Sequence, residues 1–318
     1  MDYSAFKARA VVDWIDIEIT TEVPTQQQWI QDDLRRILNL PDSAKEIWVE
    51  PVNPGPGGAS CAFRIRLHDA PANSYSELER IMGALAKRKP FAAPSQVRAI
   101  EIAVDFYAKG QANELNLIRL TKRLQTSIIA RGNPRQFDPS TRLNVYLTDR
   151  PGANEINPAL SLRIGNKGDD ISWQVYFKRT DKGGVPLPSG DQRARAEFTL
   201  QGAALAESGL TELASLKGYR FEQLSGHLRF GNLKRLDRIV EDMNPFAAYA
   251  VRRLWESHNG SVTAWPLGWR AYRLDRQKGL PRKAVDRKQT SHAEADYDLN
   301  RRVRRTLSEL SGKFFAQN

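Results

Sequence analysis

The side chains with chemistry in this sequence fall on short alternating stretches. In IEIAVDF (100–106), Glu101 and Asp105 lie between Ile100, Ile102, Val104 and Phe106. In ISWQVYFK (171–178), Tyr176 and Lys178 are two residues apart, on the side opposite Trp173, Val175 and Phe177. In RARAEFTL (193–200), Arg195 and Glu197 alternate with Ala194, Ala196 and Phe198. In VVDWIDIEIT (11–20), Asp16 and Glu18 share a side with Trp14, while Asp13 shares the other with Ile15, Ile17 and Ile19. At the two-residue period of a strand these are polar faces, and together they offer carboxylates, a phenol and bases to one common surface. Brought together, such groups can act on a charged ligand. Left apart, the acids and bases pair across strands for ~0.2–1 kcal/mol each, and the tyrosine merely packs.

The elements that must position these groups are readable from periodicity. A strand at 11–20 precedes a helix opened by Pro24, with Trp29, Ile30, Leu34, Ile37 and Leu38 at helical spacing. A strand follows at 45–52, then one at 62–68 with Phe63, Ile65 and Leu67 inward and Arg64, Arg66 and His68 outward. A helix at 76–87 and a strand at 97–107 complete the order βαββαβ, the ferredoxin-like pattern. A helix at 112–130 and strands around 143–147, 160–164, 171–178 and 194–200 come next. The expected class is therefore α+β: an antiparallel sheet with one or two ferredoxin-like halves, followed by a helical C-terminal part. The expected domains are a sheet-and-helix core at 1–201, a helical extension at 202–262 (helices near 210–216, 221–224, 233–241 and 245–257) and a basic tail at 263–318. The tail carries thirteen Lys and Arg against six acids, with a helix expected from Asp298 to Leu310; such a run is either a solvated face or a grip on phosphates.

Composition narrows the partners. Among 318 residues, 48 Lys and Arg against 37 Asp and Glu give a net charge of +11, and 41% hydrophobic residues are enough for a core. The charge points to a polyanion, and nucleic acid outranks a membrane surface because no stretch shows a basic and bulky-apolar interfacial face. A single cysteine, Cys61, excludes an internal disulfide framework and a thiolate zinc cage. There is no signal-like N-terminus and no apolar run near the ~20 residues of a membrane helix, so a cytoplasmic location and no membrane partner are expected. Pro54-Gly55-Pro56-Gly57-Gly58 lacks the lysine and hydroxyl of a P-loop, so no nucleotide cofactor is expected.

Four stretches carry a resemblance through their order and spacing. These are IEIAVDF, then Leu162-Arg163-Ile164-Gly165-Asn166-Lys167 leading into Tyr176-Phe177-Lys178, then Arg195-Ala196-Glu197-Phe198-Thr199-Leu200, then Gly226-His227-Leu228-Arg229-Phe230. Over residues 10–245 the chain resembles the replication-initiator family of rolling-circle plasmids, which includes filamentous-phage initiators and related relaxases of integrative elements. It departs from that pattern at Arg163, where an aromatic is frequent. It also has no His-hydrophobe-His pair: His68, His227, His258 and His292 are scattered.

The resemblance implies a nickase that cuts one DNA strand at an origin through a 5′-phosphotyrosine and later rejoins it. It implies Tyr176 as nucleophile, with Lys178 favouring the phenolate or neutralising the phosphate; Tyr146 stands second and Tyr107 third. It implies a divalent ion, Mg²⁺ or Mn²⁺, held by carboxylates, with Glu101, Asp105 and Glu197 as ligands and Asp16 and Glu18 in reserve. Arg64, Arg66, Arg163, Arg195, Arg301, Arg302, Arg304 and Arg305 are the expected DNA contacts, although surface pairing suits each of them as well. His227 is a candidate general base or a structural histidine. The implied partner is DNA, as origin duplex and as single-stranded nick site; a helicase and a second copy of the chain are left open. A relaxase would use the same chemistry, and a non-catalytic DNA-binding regulator would use the acids only as salt-bridge partners. His227-Leu228-Arg229 also brings a tyrosine recombinase to mind, but those enzymes are helical where this chain is rich in strand.

Overall fold

The computed structural model describes all residues except 42–46, 111–113, 131, 133, 147–155, 182–183, 234–244, 247, 250–292 and 316–318. The helices expected at 233–241 and 245–257, and most of the basic tail, therefore lie largely outside the described residues. The chain divides into two units, one of 1–9, 104–198 and 223–306, the other of 10–103, 199–222 and 307–318. The division falls inside three strands, β1 (Phe6–Thr25), β4 (Gln96–Ala108) and β10 (Arg193–Gln201), each of which contributes to both units.

The second of these units holds the βαββαβ order. After β1 come α1 (Gln27–Ile37), β2 (Trp48–Val52), β3 (Ser60–His68), the short α2 (Asp69–Ala72), α3 (Tyr75–Arg88) and β4. The hydrogen-bonded order β2-β3-β1-β4 is the ferredoxin-like one, with β3 antiparallel to both β1 and β2. One face buries Ile15, Ile17, Ile19, Phe63, Ile65 and Leu67 against Ile30 and Leu34 of α1 and Leu78, Ile81, Met82 and Leu85 of α3. The spacing of those α3 residues is the apolar stripe of a surface helix. Glu77 in its first turn and Lys87 and Arg88 in its last oppose the helix dipole with the favourable sign. Pro24 does not open α1. It belongs to β1, which runs for twenty residues because β-branched side chains continue past Thr20.

The other unit follows a different order. α4 (Glu114–Ser127) and β5 (Ile128–Ile129) precede β6 (Pro134–Asp138), β7 (Leu143–Tyr146), β8 (Ser161–Ile164) and β9 (Ile171–Lys178). Among the described residues no second helix interrupts these strands. β10 continues the sheet as β10-β9-β8-β6-β7, giving nine hydrogen-bonded strands in all. Pairing is antiparallel at β6–β7, β6–β8 and β8–β9. A mixed α+β fold around a large antiparallel sheet is thus what the chain forms.

α4 packs on β9 with Leu117, Leu120 and Leu124 buried. The expected helix over 112–130 stops at Ser127. There Thr126 and Ser127 return their hydroxyls to carbonyls one turn back, and the β-branched pair Ile128-Ile129 joins β11 (Arg229–Leu233) instead. β12 (Ala293–Ala295) closes that three-stranded sheet. After β10 come α5 (Gly202–Glu207) and 3₁₀ helices at Leu213–Leu216 and Phe221–His227, where helices were expected at 210–216 and 221–224. α6 (Tyr297–Ser311) matches the helix expected at 298–310 and buries Leu299, Val303, Leu307 and Leu310. No helix among the described residues is long and apolar enough to cross a membrane.

Candidate functional site

Tyr176 is placed by its neighbours on β9. Val175 points inward, and its carbonyl accepts a hydrogen bond from the buried Gln125 amide of α4 at 3.1 Å. Two residues earlier, the Trp173 indole donates to the His227 carbonyl at 2.6 Å. With Trp173 and Val175 fixed on one face, alternation turns Tyr176 to the other. There its hydroxyl donates to Glu197 Oε2 on β10 at 3.3 Å. Glu197 is buried, its side chain 6% exposed, and Arg195 Nη1 lies 3.8 Å from the same oxygen.

Arg195 itself is held by Asp105 of β4. Its Nε and Nη2 donate to the two carboxylate oxygens at 2.6 and 2.8 Å, with both side chains only 2% exposed. Arg193 Nε stands 3.1 Å from Asp105 Oδ2, and the Tyr107 hydroxyl donates to that oxygen at 3.4 Å. The fork-to-fork geometry is the strong form of an Arg–carboxylate pair. Burial pushes the Tyr107 phenol up, and the Asp105 charge pushes it the same way.

Glu101 also approaches Asp13, and the two offer carboxylate oxygens within 4.8 Å of each other. Glu101 additionally accepts the Thr199 hydroxyl at 2.8 Å. Asp13 is positioned by the Asn73 side chain, whose amide exchanges hydrogen bonds with the Val12 N–H and carbonyl at 2.9 and 2.8 Å, just beyond the last β1–β3 pair at Trp14–His68. Two carboxylates this close repel unless a proton or a cation sits between them. An all-oxygen set of this kind fits a hard divalent ion such as Mg²⁺ or Mn²⁺.

Set beside the expected residues, Tyr176 and Glu197 come together, and Glu101 lies beside Asp13. Asp105 has both oxygens engaged by Arg195. Lys178 Nζ lies 3.9 Å from Asp181. Arg195, expected among the DNA contacts on a wet face, is instead buried, because β10 is a central strand covered on both sides. The reserve acids are paired: Asp16 is gripped through both oxygens by Arg66 at 2.6 and 2.7 Å, and Glu18 by Arg98 at 2.6 Å. Arg66 is further fixed over the Trp14 ring at 3.9 Å and the Trp48 ring at 5.2 Å. Arg64 stands across from Glu18 and from Glu50 in the strand register.

On α6, Arg301 pairs with Asp298 at 2.9 Å and Arg302 reaches the Phe6 carbonyl at 3.4 Å, while Arg304 and Arg305 are exposed. Arg163 of β8 is half-buried over the Phe137 ring at 3.7 Å. His227 sits with its ring 5.7 Å from that of Phe198. The side chain of Tyr146 lies outside the described residues.

Asp13 was missed, and a signal for it existed. An acid in register with Ile15, Ile17 and Ile19 is a charge on the apolar side of a strand, where it needs a partner or an ion. Arg193 gave no comparable signal, because its role follows from which strand lies next to β10.

No family model matches the sequence, and no curated protein matches it. Among solved structures, a rolling circle replication initiator protein from Geobacillus stearothermophilus is similar at 13% identity. The match spans 87% of this chain and 98% of that one, with a TM-score of 0.30.

Proposed function

We propose that this protein is a replication initiator that nicks and rejoins one DNA strand through Tyr176. The observation that carries the reading is the Tyr176 hydroxyl donating to a buried carboxylate, Glu197. The ordered motifs on β4, β8, β9 and β10 and the +11 charge support DNA as the substrate. In the reaction, Tyr176 Oη attacks the phosphorus of a phosphodiester and its proton passes to Glu197. The new Oη–P bond forms as the P–O3′ bond breaks, and the departing 3′-oxygen takes a proton from solvent. The strand is left with a 5′-phosphotyrosine and a free 3′-OH, and reversal rejoins it.

Asp13 and Glu101 would hold a divalent ion, which would offset charge on the non-bridging oxygens. Arg195 acts through Glu197: its guanidinium stands 3.8 Å from the carboxylate oxygen to which the Tyr176 hydroxyl donates. Asp105 in turn fixes Arg195.

The test is a covalent trap. Single-stranded and supercoiled DNA from the protein's own locus is incubated with Mg²⁺ or Mn²⁺ and resolved on denaturing gels. The expected result is a protein-linked strand that disappears with EDTA and in Tyr176→Phe. Binding with no adduct in either metal, across several segments, would sink the reading and leave a DNA-binding regulator.

A further inference from the structure

Arg135 and Arg163 stand directly opposite each other on β6 and β8. Like charges at opposed positions of an antiparallel pair destabilise it, so an unrelieved pair of arginines calls for an anion. Among the described residues neither makes an ion pair with an acid, and the buried Arg163 Nε has no hydrogen-bond partner. Both are nonetheless held in place. Arg163 Cζ lies 3.7 Å from the centre of the Phe137 ring, and Arg135 Nη1 donates to the Gly165 carbonyl at 2.5 Å.

That carbonyl sits in a turn only glycine fits. Gly165 has φ +81°, and a Cβ there would meet the Ile171 carbonyl oxygen at 3.1 Å. On the next strand Gln174 faces Arg163, so Tyr176, two residues on, shares that face as a diagonal neighbour. Burial, and then the Arg135 charge, pull the Arg163 guanidinium down from its ordinary value, while Glu197 and Tyr176 act the other way.

We propose that Arg135 and Arg163 form a clamp for a phosphodiester of single-stranded DNA next to Tyr176. This rests on the strand-nicking reading of the site. Two planar donor forks meet the oxygens of one phosphate or of two successive ones, and the arriving anion neutralises the opposed like charges.

The test uses the full chain and a fluorescein-labelled single-stranded oligonucleotide from its own locus, in EDTA so that no cutting occurs. Anisotropy is titrated at several salt concentrations. Arg135→Gln and Arg163→Gln, which keep part of the stem, should each flatten the slope of log K against log salt by about 0.7, and the double variant by about 1.4. Arg163→Lys should keep the slope. Arg80→Ala, on an exposed residue paired with Glu77, should also keep it.

In the wild type, the oligonucleotide should shield Arg135 and Arg163 from phenylglyoxal, read by mass spectrometry; this readout needs no variant to fold. An unchanged slope in the double variant, or no shielding, overturns the clamp, as does a wild type that binds no strand. An unchanged slope alongside wild-type covalent adducts would remove the clamp and leave the nicking reading standing. A flattened slope with no adduct would do the reverse.

Discussion

Replacing Arg195 by Met removes the cation that holds Asp105 and leaves a carboxylate, 2% exposed, without its two closest donors. Breaking a buried ion pair by deleting one partner costs about 3–5 kcal/mol, whereas replacing both members by apolar side chains is near neutral. Arg193 at 3.1 Å and the Tyr107 hydroxyl at 3.4 Å remain beside Asp105, which places Arg195→Met in the lower half of that range. For a domain of ordinary size each kcal/mol moves the melting midpoint by roughly 2–4 °C. A fall on the order of 6–15 °C is therefore expected, with a matching drop in the urea midpoint at unchanged m-value. Asp105→Leu combined with Arg195→Met should recover most of the loss. The reasoning is refuted if Arg195→Met melts within 2 °C of wild type, or if the double variant is less stable than the single one.

Further outcomes follow from other groups. Asp13→Asn and Glu101→Gln should each weaken Mn²⁺ binding by calorimetry at least about tenfold, while Glu18→Gln, on a residue paired with Arg98, should not; equal affinity in all three would remove the carboxylate cluster as a metal site. Burial alone would push Asp296 up, but hydrogen bonds from Arg123, Tyr3 and the Leu299 amide outweigh it and hold the carboxyl below its ordinary value. With the folded pKa depressed, its stabilisation is complete above the unfolded value of ~3.9 and is lost as pH falls through the folded one. Urea midpoints of wild type and Asp296→Asn should therefore converge below about pH 4, and a gap that stays constant from pH 7 to 3 would contradict this. Gly165→Ala forces a non-glycine residue into φ +81° against the Ile171 carbonyl and should cost about 1–3 kcal/mol; a neutral result would mean that the turn adapts.

How much of this was legible in the sequence depends on where large apolar residues alternate without interruption. Ile100 to Phe106 and Trp173 to Phe177 do so, and β4 and β9 appear where expected. β6 was not expected, because Pro134, Arg135, Gln136 and Asp138 leave Phe137 as its one large apolar residue and carry no two-residue signal. Ile128 and Ile129 continue the helical stripe of α4 in sequence, yet they leave it to pair with β11, a partner a hundred residues away.

For the site, alternation correctly put Tyr176, Glu101, Asp105, Arg195 and Glu197 opposite the apolar residues of their strands. It did not tell which strands are adjacent. The Tyr176–Glu197 and Arg195–Asp105 pairs, and the opposition of Arg135 to Arg163, follow from strand order and register. These are set by long-range pairing that no local pattern encodes.

The most direct test of strand nicking through Tyr176 is to map the attached nucleotide. After reaction with single-stranded DNA and Mn²⁺, the protein would be digested with nuclease and trypsin and its peptides sequenced by mass spectrometry. The expected result is a 5′-nucleotide on Tyr176, in the peptide running from Gly168 to Lys178. A nucleotide on Tyr146 or Tyr107, or no modified tyrosine in a sample that binds DNA, would contradict it.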